Sequence, residues 1–348
     1  MRIPGSRTVK NIWKKINQHG IILLYHRVVD LADTTDPWNL CVTPAHFKEH
    51  LEVLAKNSKP ISLRKMCNSL KSFPFEHRNV VITFDDGYRD NFHNAKPLLE
   101  KYEIPATFFI VSEAINSQKE FWWDELERFI LTAKDIPPIF DLTIASKKYH
   151  WIINQNGIKE SLNYGTDIVA QAHNDTSLSR SKLYFNLWKI LSEITLTEKK
   201  ASLIAIEKWS QQSTTPRATH FPMTLDELKN LAAHPLFEIG AHTLTHPMLS
   251  RLSVREQEAE ITESKRHLED MMGQSVASFS YPHGDQSEDT LKIIELSKLE
   301  NACTVVQKPV LRNTNPFLLP RFTVLNWNGD EFEKKLHEWL TNHDESSS

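Results

Sequence analysis

The stretch VVITFDDGY, Val80–Tyr88, decides the fold class of this 348-residue chain. Its first five residues are β-branched or aromatic, and such a short apolar run predicts a buried strand. Gly87 allows the backbone to turn directly after the two acids. Asp85 and Asp86 are therefore expected at the carboxyl end of a strand, which is where α/β folds place the side chains that carry chemistry.

Apolar stretches of this kind alternate with helical patterns along the chain, at 21–25, 80–84, 106–111, 237–241, 277–281, 301–306 and 322–325. This alternation predicts βα units around a parallel sheet, but periodicity alone does not separate a barrel from an open sheet. Two helix starts are well marked, because Ser253 with Glu256 and Thr224 with Glu227 match the capping box. Gly273 is expected to end the first of these helices.

A second polar motif, HTLTH at His242–His246, also follows an apolar run. Pro247 disfavours a helix at the second histidine, so we expect a loop. Two neutral imidazoles and one carboxylate form a three-ligand set that leaves a position open for water, as in catalytic zinc sites. Taken alone, the acids could be an ordinary Asp–Gly turn and the histidines could be surface residues. The two motifs together favour hydrolysis.

These two motifs and YPHG at Tyr281–Gly284 resemble the polysaccharide deacetylase, or NodB-homology, family of metal-dependent sugar amide and ester hydrolases. The resemblance implies an irregular (β/α)7 barrel over residues 21–343. Residues 112–223 have little strand character and show helical spacing, which predicts a helical insertion in this barrel. The resemblance also implies that Asp85 is the catalytic base. A divalent metal, expected to be zinc, would be bound by Asp86, His242 and His246. Substrate and oxyanion contacts would come from Tyr281, Pro282 and His283, with the backbone N–H of His283 holding the oxyanion.

Two departures from the family pattern affect the expected roles. Many members have an arginine shortly before the proline of the third motif, where it orients the catalytic aspartate, but Phe279–Pro282 contains none. Arg321, just before the last predicted strand, is the expected substitute, although a structural or surface arginine is the alternative. The late histidine motif that usually carries the general acid is not evident, and His337 lies in a predicted terminal helix.

His26 is the expected general acid. It follows the apolar run 21–25, and a YHR segment at this place resembles the exopolysaccharide-deacetylase branch of the family. A histidine that only makes a hydrogen bond at the barrel rim is the alternative. In the insertion, Trp122 and Trp123 could stack on a sugar ring, but aromatic pairs at the head of a helix more often pack inward.

The expected function is removal of acetyl groups from N-acetylated sugars during surface polysaccharide or lipopolysaccharide biosynthesis. The acceptor stays open among a polymer, an oligosaccharide, a lipid-linked glycan and a nucleotide sugar. One alternative is a zinc peptidase, because HFKEH at His46–His50 matches the H-x-x-E-H pattern, although Phe47 and Leu51 suggest that these histidines flank a packing face. Another is an inactive carbohydrate-binding relative, which would not need to keep Asp85.

A composition of 40% hydrophobic and 24% charged residues predicts a soluble globular protein, and the net charge of −3 predicts no general attraction to nucleic acid. Three cysteines without C-x-x-C spacing suggest a reducing compartment. Residues 1–20 are basic and have an apolar helical face, and because the apolar run that follows them is too short for the core of a secretory signal, export is not expected. We expect a cytoplasmic protein whose N-terminal helix contacts the inner membrane face or closes the barrel. Residues 344–348 are expected to be a disordered tail.

Overall fold

A computed structural model describes residues 19–30, 35–70, 78–154, 177–212 and 215–341. The chain divides into two compact units. The barrel unit comprises residues 1–30, 39–117 and 222–348, and the insertion unit comprises residues 31–38 and 118–221. The helices of the described ranges include none with the length and apolar character needed to cross a membrane.

The described strands are, in chain order, β1 (His19–Tyr25), β2 (Arg27–Val28), β3 (Cys41–Val42), β4 (Lys59–Pro60), β5 (Asn79–Phe84), β6 (Ala106–Ile110), β7 (Ile139–Ile144), β8 (Lys147–Asn154), β9 (Ser177–Ser179), β10 (Phe237–Ala241), β11 (Ser278–Ser280), β12 (Asn301–Cys303), β13 (Val310–Leu311) and β14 (Phe322–Thr323). The described α-helices are α1 (Pro44–Asn57), α2 (Leu63–Leu70), α3 (Lys96–Lys101), α4 (Trp122–Ile130), α5 (Arg180–Ser192), α6 (Leu196–Ser210), α7 (Leu225–Ala232), α8 (Val254–Met272), α9 (Glu288–Leu296) and α10 (Gly329–Thr341).

The barrel unit is built around seven parallel strands in the spatial order β12-β11-β10-β6-β5-β1-β14. Strand β4 extends β5 in parallel, and β13 pairs antiparallel with β1. A parallel bridge from Cys303 to Leu319 links β12 to the chain that leads into β14. Because this bridge links the two ends of the strand order, the sheet curls towards closure. The predicted irregular seven-stranded α/β barrel is thus confirmed.

Successive side chains of β1 and β5 belong to two different apolar clusters. Every residue of β1 and of β5 is buried, as is expected for parallel strands that are covered on both faces. Leu23 and Ile82 belong to the larger cluster, whereas their neighbours Ile22 and Val81 belong to a second one. Since successive side chains point to opposite faces, each strand contributes to both clusters.

The local sequence signals placed these elements well. All seven predicted strands are present, with ends that differ from the prediction by a few residues. Helices α7 and α8 begin with the predicted capping boxes, at Thr224 with Glu227 and at Ser253 with Glu256. Gly273 ends α8 with a φ of 68°. The predicted N-terminal helix was wrong for its last two residues, because β1 begins at His19; residues 1–18 and the predicted tail lie outside the described ranges.

The insertion unit combines three helices, α4 to α6, with a sheet in the order β7-β8-β9. The predicted helices are confirmed, but the sequence interpretation missed the sheet. Most residues of β7 and β8 are at least partly exposed, so their apolar signal is weak. Trp123 is buried and stacks on Phe121, and the ammonium of Lys199 lies 4.5 Å from the ring centre of Trp122. The tryptophans therefore pack within this unit rather than forming an open sugar platform.

Candidate active site

The polar motifs meet because each follows a parallel strand. Asp85 follows β5, His26 follows β1 and His242 follows β10, and the carboxyl ends of parallel strands lie at the same rim of the sheet. Gly87 completes the turn after the acids with a φ of 82°. A Cβ atom there would approach Ile110 Cδ1 to 2.9 Å, so the turn requires glycine.

Asp86, His242 and His246 form a buried cluster whose ligand atoms all lie within 4.8 Å of one another. Asp86 Oδ1 is 3.5 Å from His242 Nε2 and 3.4 Å from His246 Nε2. His242 Nδ1 donates to the carbonyl of Ser280 at 2.7 Å, which leaves Nε2 as the nitrogen that faces Asp86. Such a contact fixes the tautomer of metal-binding histidines.

The charges of this cluster fit a divalent cation. Asp86 Oδ1 is buried and accepts no hydrogen bond from the described residues. Burial opposes protonation of His242, yet the carboxylates of Asp85 and Asp86 raise its pKa above the usual histidine range. The cluster thus attracts positive charge, and one carboxylate with two imidazoles is a ligand set that zinc accepts.

Asp85 is held by Arg321 through two parallel hydrogen bonds. Arg321 Nη1 donates to Oδ1 and Nη2 donates to Oδ2, both at 2.7 Å. The guanidinium is fully buried and also donates to Thr83 Oγ1, Ser280 Oγ and the carbonyl of Thr304. The bidentate geometry fixes the plane of the carboxylate as well as its charge. The structure therefore brings together the two residues for which the sequence predicted an orienting contact.

The same pairing keeps Asp85 ionised. Burial opposes ionisation, but the Arg321 guanidinium outweighs it and lowers the pKa of Asp85 to about 2. A carboxylate held this firmly is a weak base on its own. It accepts a proton readily only from a partner whose own pKa is lowered, such as water beside a cation.

His26 lies at the same rim and is half-buried. Asn91 Nδ2 donates to its backbone carbonyl at 2.8 Å. Burial lowers the pKa of the imidazole, and it is close enough to Asp86, Asp85 and His242 for their charges to act on it. A lowered pKa makes the protonated ring a stronger acid but leaves less of it protonated near pH 7, so the shift by itself does not select His26 as a proton donor.

The third motif brings His283 beside the histidine cluster. His283 has a φ of 58°, and its ring centre is 4.5 Å from that of His246. Tyr281, by contrast, is fully buried beside Phe279, and its hydroxyl donates to the carbonyl of Phe317 at 2.9 Å. The prediction that Tyr281 contacts substrate was therefore wrong for its side chain. The buried Pro282 follows it at the turn.

Four residues of these loops have left-handed backbone. Asp86, Thr243, His246 and His283 all have φ between 58° and 72°. This region is uncommon for residues other than glycine, and for a β-branched residue such as threonine it is a true outlier. Such conformations persist where the surroundings hold them, and they cluster at functional sites.

The histidines of HFKEH have other partners. His50 Nε2 donates to the carbonyl of Trp327 at 2.7 Å, its Nδ1 lies 3.3 Å from the hydroxyl of Tyr25, and its ring stacks on Phe332. His46 Nδ1 lies 2.8 Å from the side-chain oxygen of Asn326. Neither residue belongs to a metal-ligating cluster of the described ranges. The peptidase alternative is therefore not supported, since both rings hold α1 in place.

His337 is exposed on α10 and lines a surface cavity of about 520 Å³ together with Arg78. Arg78 precedes β5, whereas Asp85 follows it, so His337 lies towards the opposite end of the strands from the acids. It is not placed to act as the general acid.

A second group of potential ligands, Asp124, Glu127 and His220, lies buried in the insertion unit. In this group an arginine side chain lies beside the acidic residues. Arg217 Nη2 is 3.3 Å from Glu127, and Arg217 Nε donates to the neighbouring Glu120 at 2.6 Å. We interpret this group as an ion-pair network, because the guanidinium already supplies the positive charge that a metal would bring.

Sequence reasoning missed one residue of the site. Ser280 Oγ donates to Asp85 Oδ2 at 3.1 Å and accepts from Arg321 Nη2 at 2.8 Å, so it joins the base to its arginine. Its position just before Tyr281 and Pro282, where many family members have the arginine, was the available signal. A serine in a strand has no local feature that reveals a partner 195 residues away.

Comparison with known proteins identifies the family of the chain. The family model for polysaccharide deacetylase matches residues 74–133 and 165–302, more than half of the chain. The poly-beta-1,6-N-acetyl-D-glucosamine N-deacetylase of Staphylococcus aureus strain COL is 21% identical over 311 residues, which cover 89% of this chain and 75% of that protein.

Solved structures show the same fold. The Streptococcus pyogenes deacetylase PplD in complex with acetate aligns with a TM-score of 0.56 at 17% identity, over 91% of this chain and 98% of that one. IcaB from Ammonifex degensii gives a TM-score of 0.55 at 14% identity, over 93% and 98% of the two chains. The barrel fold and the matching family model together identify this chain as a hydrolase. The chain is a member of the polysaccharide deacetylase family.

Proposed function

We propose that this chain is a zinc-dependent N-deacetylase that releases acetate from an N-acetylated sugar during surface polysaccharide or lipopolysaccharide biosynthesis. One observation carries the proposal: the Asp86, His242 and His246 cluster lies beside an aspartate that Arg321 holds ionised. The name of the Staphylococcus aureus relative supports an N-acetylglucosamine polymer, or a fragment of one, as the substrate class.

The residues divide the work of amide hydrolysis. Asp86, His242 and His246 would hold the cation, which when bound lowers the pKa of water and polarises a carbonyl. Asp85 takes the proton from the attacking water, while Arg321 keeps its carboxylate in one orientation. The backbone N–H of His283 donates to the oxyanion that develops on the former carbonyl. Protonated His26 donates to the sugar nitrogen, so that the C–N bond breaks to give acetate and a free amine.

The test is acetate release by the full chain with and without added zinc. The panel contains β-1,6-linked N-acetylglucosamine oligomers, a lipid-linked N-acetylated glycan, an N-acetylated nucleotide sugar and an aryl acetate ester. We expect zinc-dependent release from at least one N-acetyl sugar, and a chelator should abolish it. Failure on every N-acetyl sugar combined with cleavage of the ester would replace the amidase proposal with an esterase.

The subcellular location of the protein stays a prediction. Cytoplasmic location and membrane contact through residues 1–20 depend on a segment of which only His19 and Gly20 are described. Cell fractionation of the natural host, with detection of the native chain, is the direct measurement.

A further inference from the structure

The carboxylate of Glu260 lies against the loop His242–His246, which we name the histidine loop. Glu260 Oε2 accepts hydrogen bonds from the backbone N–H groups of Leu244 and Thr245 at 2.9 and 3.0 Å. Its Oε1 accepts from the hydroxyl of Thr245 at 2.7 Å. A single half-buried side chain on α8 thus receives three donors from the histidine loop.

The opposite side of the loop is held by backbone. The carbonyls of Thr243 and Leu244 accept from the N–H groups of Ser112 and Glu113, both at 3.1 Å, in the segment that follows β6. Within the loop, the N–H of His246 donates to Thr243 Oγ1 at 2.9 Å. The carbonyls therefore face one element and the amides face Glu260 on another, so that the loop is fixed between the two.

This fixation matters because the loop adopts an unfavourable conformation. Thr243 and His246 have φ values of 64° and 60°, and the left-handed region is disfavoured for both residue types. Their backbone determines how His242 Nε2 and His246 Nε2 approach Asp86 Oδ1, at 3.5 and 3.4 Å. A loop released from its external contacts would relax to commoner dihedral angles, and the two nitrogens would then separate.

We propose that Glu260 is a positioning residue that preorganises the histidine loop for metal binding without itself contacting the metal. This inference rests on the proposed function, because it assumes that Asp86, His242 and His246 bind the cation. Partners of metal ligands typically change metal affinity by about 10- to 100-fold when they are removed. Glu260 binds the backbone of the two residues that lie between Thr243 and His246, so its effect on the histidine ligands is indirect.

The experiment compares three variants of the full chain by zinc titration against a competing chelator. Glu260→Ala should weaken zinc affinity about 10-fold or more. Glu260→Gln should recover much of the affinity, because its amide oxygen still accepts from both N–H groups and its amide nitrogen can donate to the Thr245 hydroxyl. Glu258→Ala is the matched control: it removes an equal charge from an exposed position on the same helix and should bind zinc as the parent does.

Thermal unfolding of the metal-free variants separates positioning from general stability. A Glu260→Ala chain that folds like the parent and binds zinc with unchanged affinity would overturn this inference alone. A parent chain that binds no zinc would overturn the proposed function and this inference together. Should Glu260→Ala fail to fold, Thr245→Val decides: it removes one of the three donors, and we expect about 5-fold weaker binding. Unchanged affinity in that variant contradicts the proposal.

Discussion

Two pairs of histidines four residues apart occupy the barrel unit, and their surroundings differ. His46 and His50 lie on α1, and both nitrogens of His50 meet protein oxygens. His242 and His246 lie on a strained loop, where the Nδ1 of His242 meets a carbonyl and both Nε2 atoms face the carboxylate of Asp86. Equal spacing therefore carries little information. What separates a packing histidine from a candidate ligand is the partner of its second nitrogen.

The largest expected effect tests this contrast directly. His242→Ala or His246→Ala should abolish stoichiometric zinc binding and acetate release, because each removes one of only three ligands. His46→Ala and His50→Gln should keep full zinc content. Elemental analysis after dialysis, with circular dichroism to check folding, measures both. Full occupancy in either loop variant would break the comparison, and metal loss in an α1 variant would reverse it.

The next effect separates the two aspartates. Asp85→Asn should retain zinc but lose turnover by about 10⁴, the upper end for general acid–base catalysis. Asp86→Asn should weaken zinc affinity itself, since a neutral amide replaces the ligand carboxylate. Because Asp85→Asn leaves Arg321 buried without its counter-charge, thermal unfolding must accompany the assay. The roles are exchanged if zinc is lost on changing Asp85 and kept on changing Asp86.

A third histidine, His26, sharpens the comparison, since its predicted role is proton transfer rather than packing or ligation. His26→Ala should lose about 10² in rate on an N-acetyl sugar, because an amine leaves poorly without a proton. An aryl acetate, whose leaving group needs no proton, should react at close to the parental rate. Steady-state kinetics at constant zinc occupancy give both numbers. Equal losses on the two substrates would make His26 structural.

The smallest expected effect is on stability and concerns His50, one of the two histidines on α1. Burial lowers the pKa of His50 to about 4, whereas in the unfolded chain it is near 6.5. Between these values the unfolded state binds more protons, so the free energy of unfolding falls as pH drops through this range. The parent should lose about 2 kcal/mol more than His50→Gln between pH 7 and pH 5. Urea denaturation at the two pH values measures the difference. Equal losses in both chains would show that His50 is not buried in its neutral form.

The strands and the main polar motifs could be predicted because their signals are local. A β-branched run such as Val80–Phe84 identifies a strand by itself, and the capping box at Ser253 identifies a helix start. The convergence of Asp85 and His242 followed from the rule that parallel strands end at one rim. The contact between Arg321 and Asp85 followed from the family resemblance.

The remaining features depend on partners that are distant in sequence. The sheet of the insertion unit has little apolar alternation to mark it, because β7 and β8 are largely exposed. Tyr281 and Ser280 are neighbours, yet one enters the core and the other joins Asp85, which depends on the register of a three-residue strand. The partners of His50 could not be predicted because one of them, the carbonyl of Trp327, is 277 residues away in the sequence.

The separation of Asp85 and Arg321 by 236 residues also has a consequence for biosynthesis. Ribosomes add about 5–20 residues per second, so the arginine is made roughly 10–50 s after the aspartate. During that interval the nascent chain has the acids and then the histidines but lacks the guanidinium that offsets the buried charge of Asp85. The Asp85–Arg321 contact of the candidate site can therefore form only after nearly the whole chain has been made and the segment leading into β14 has docked.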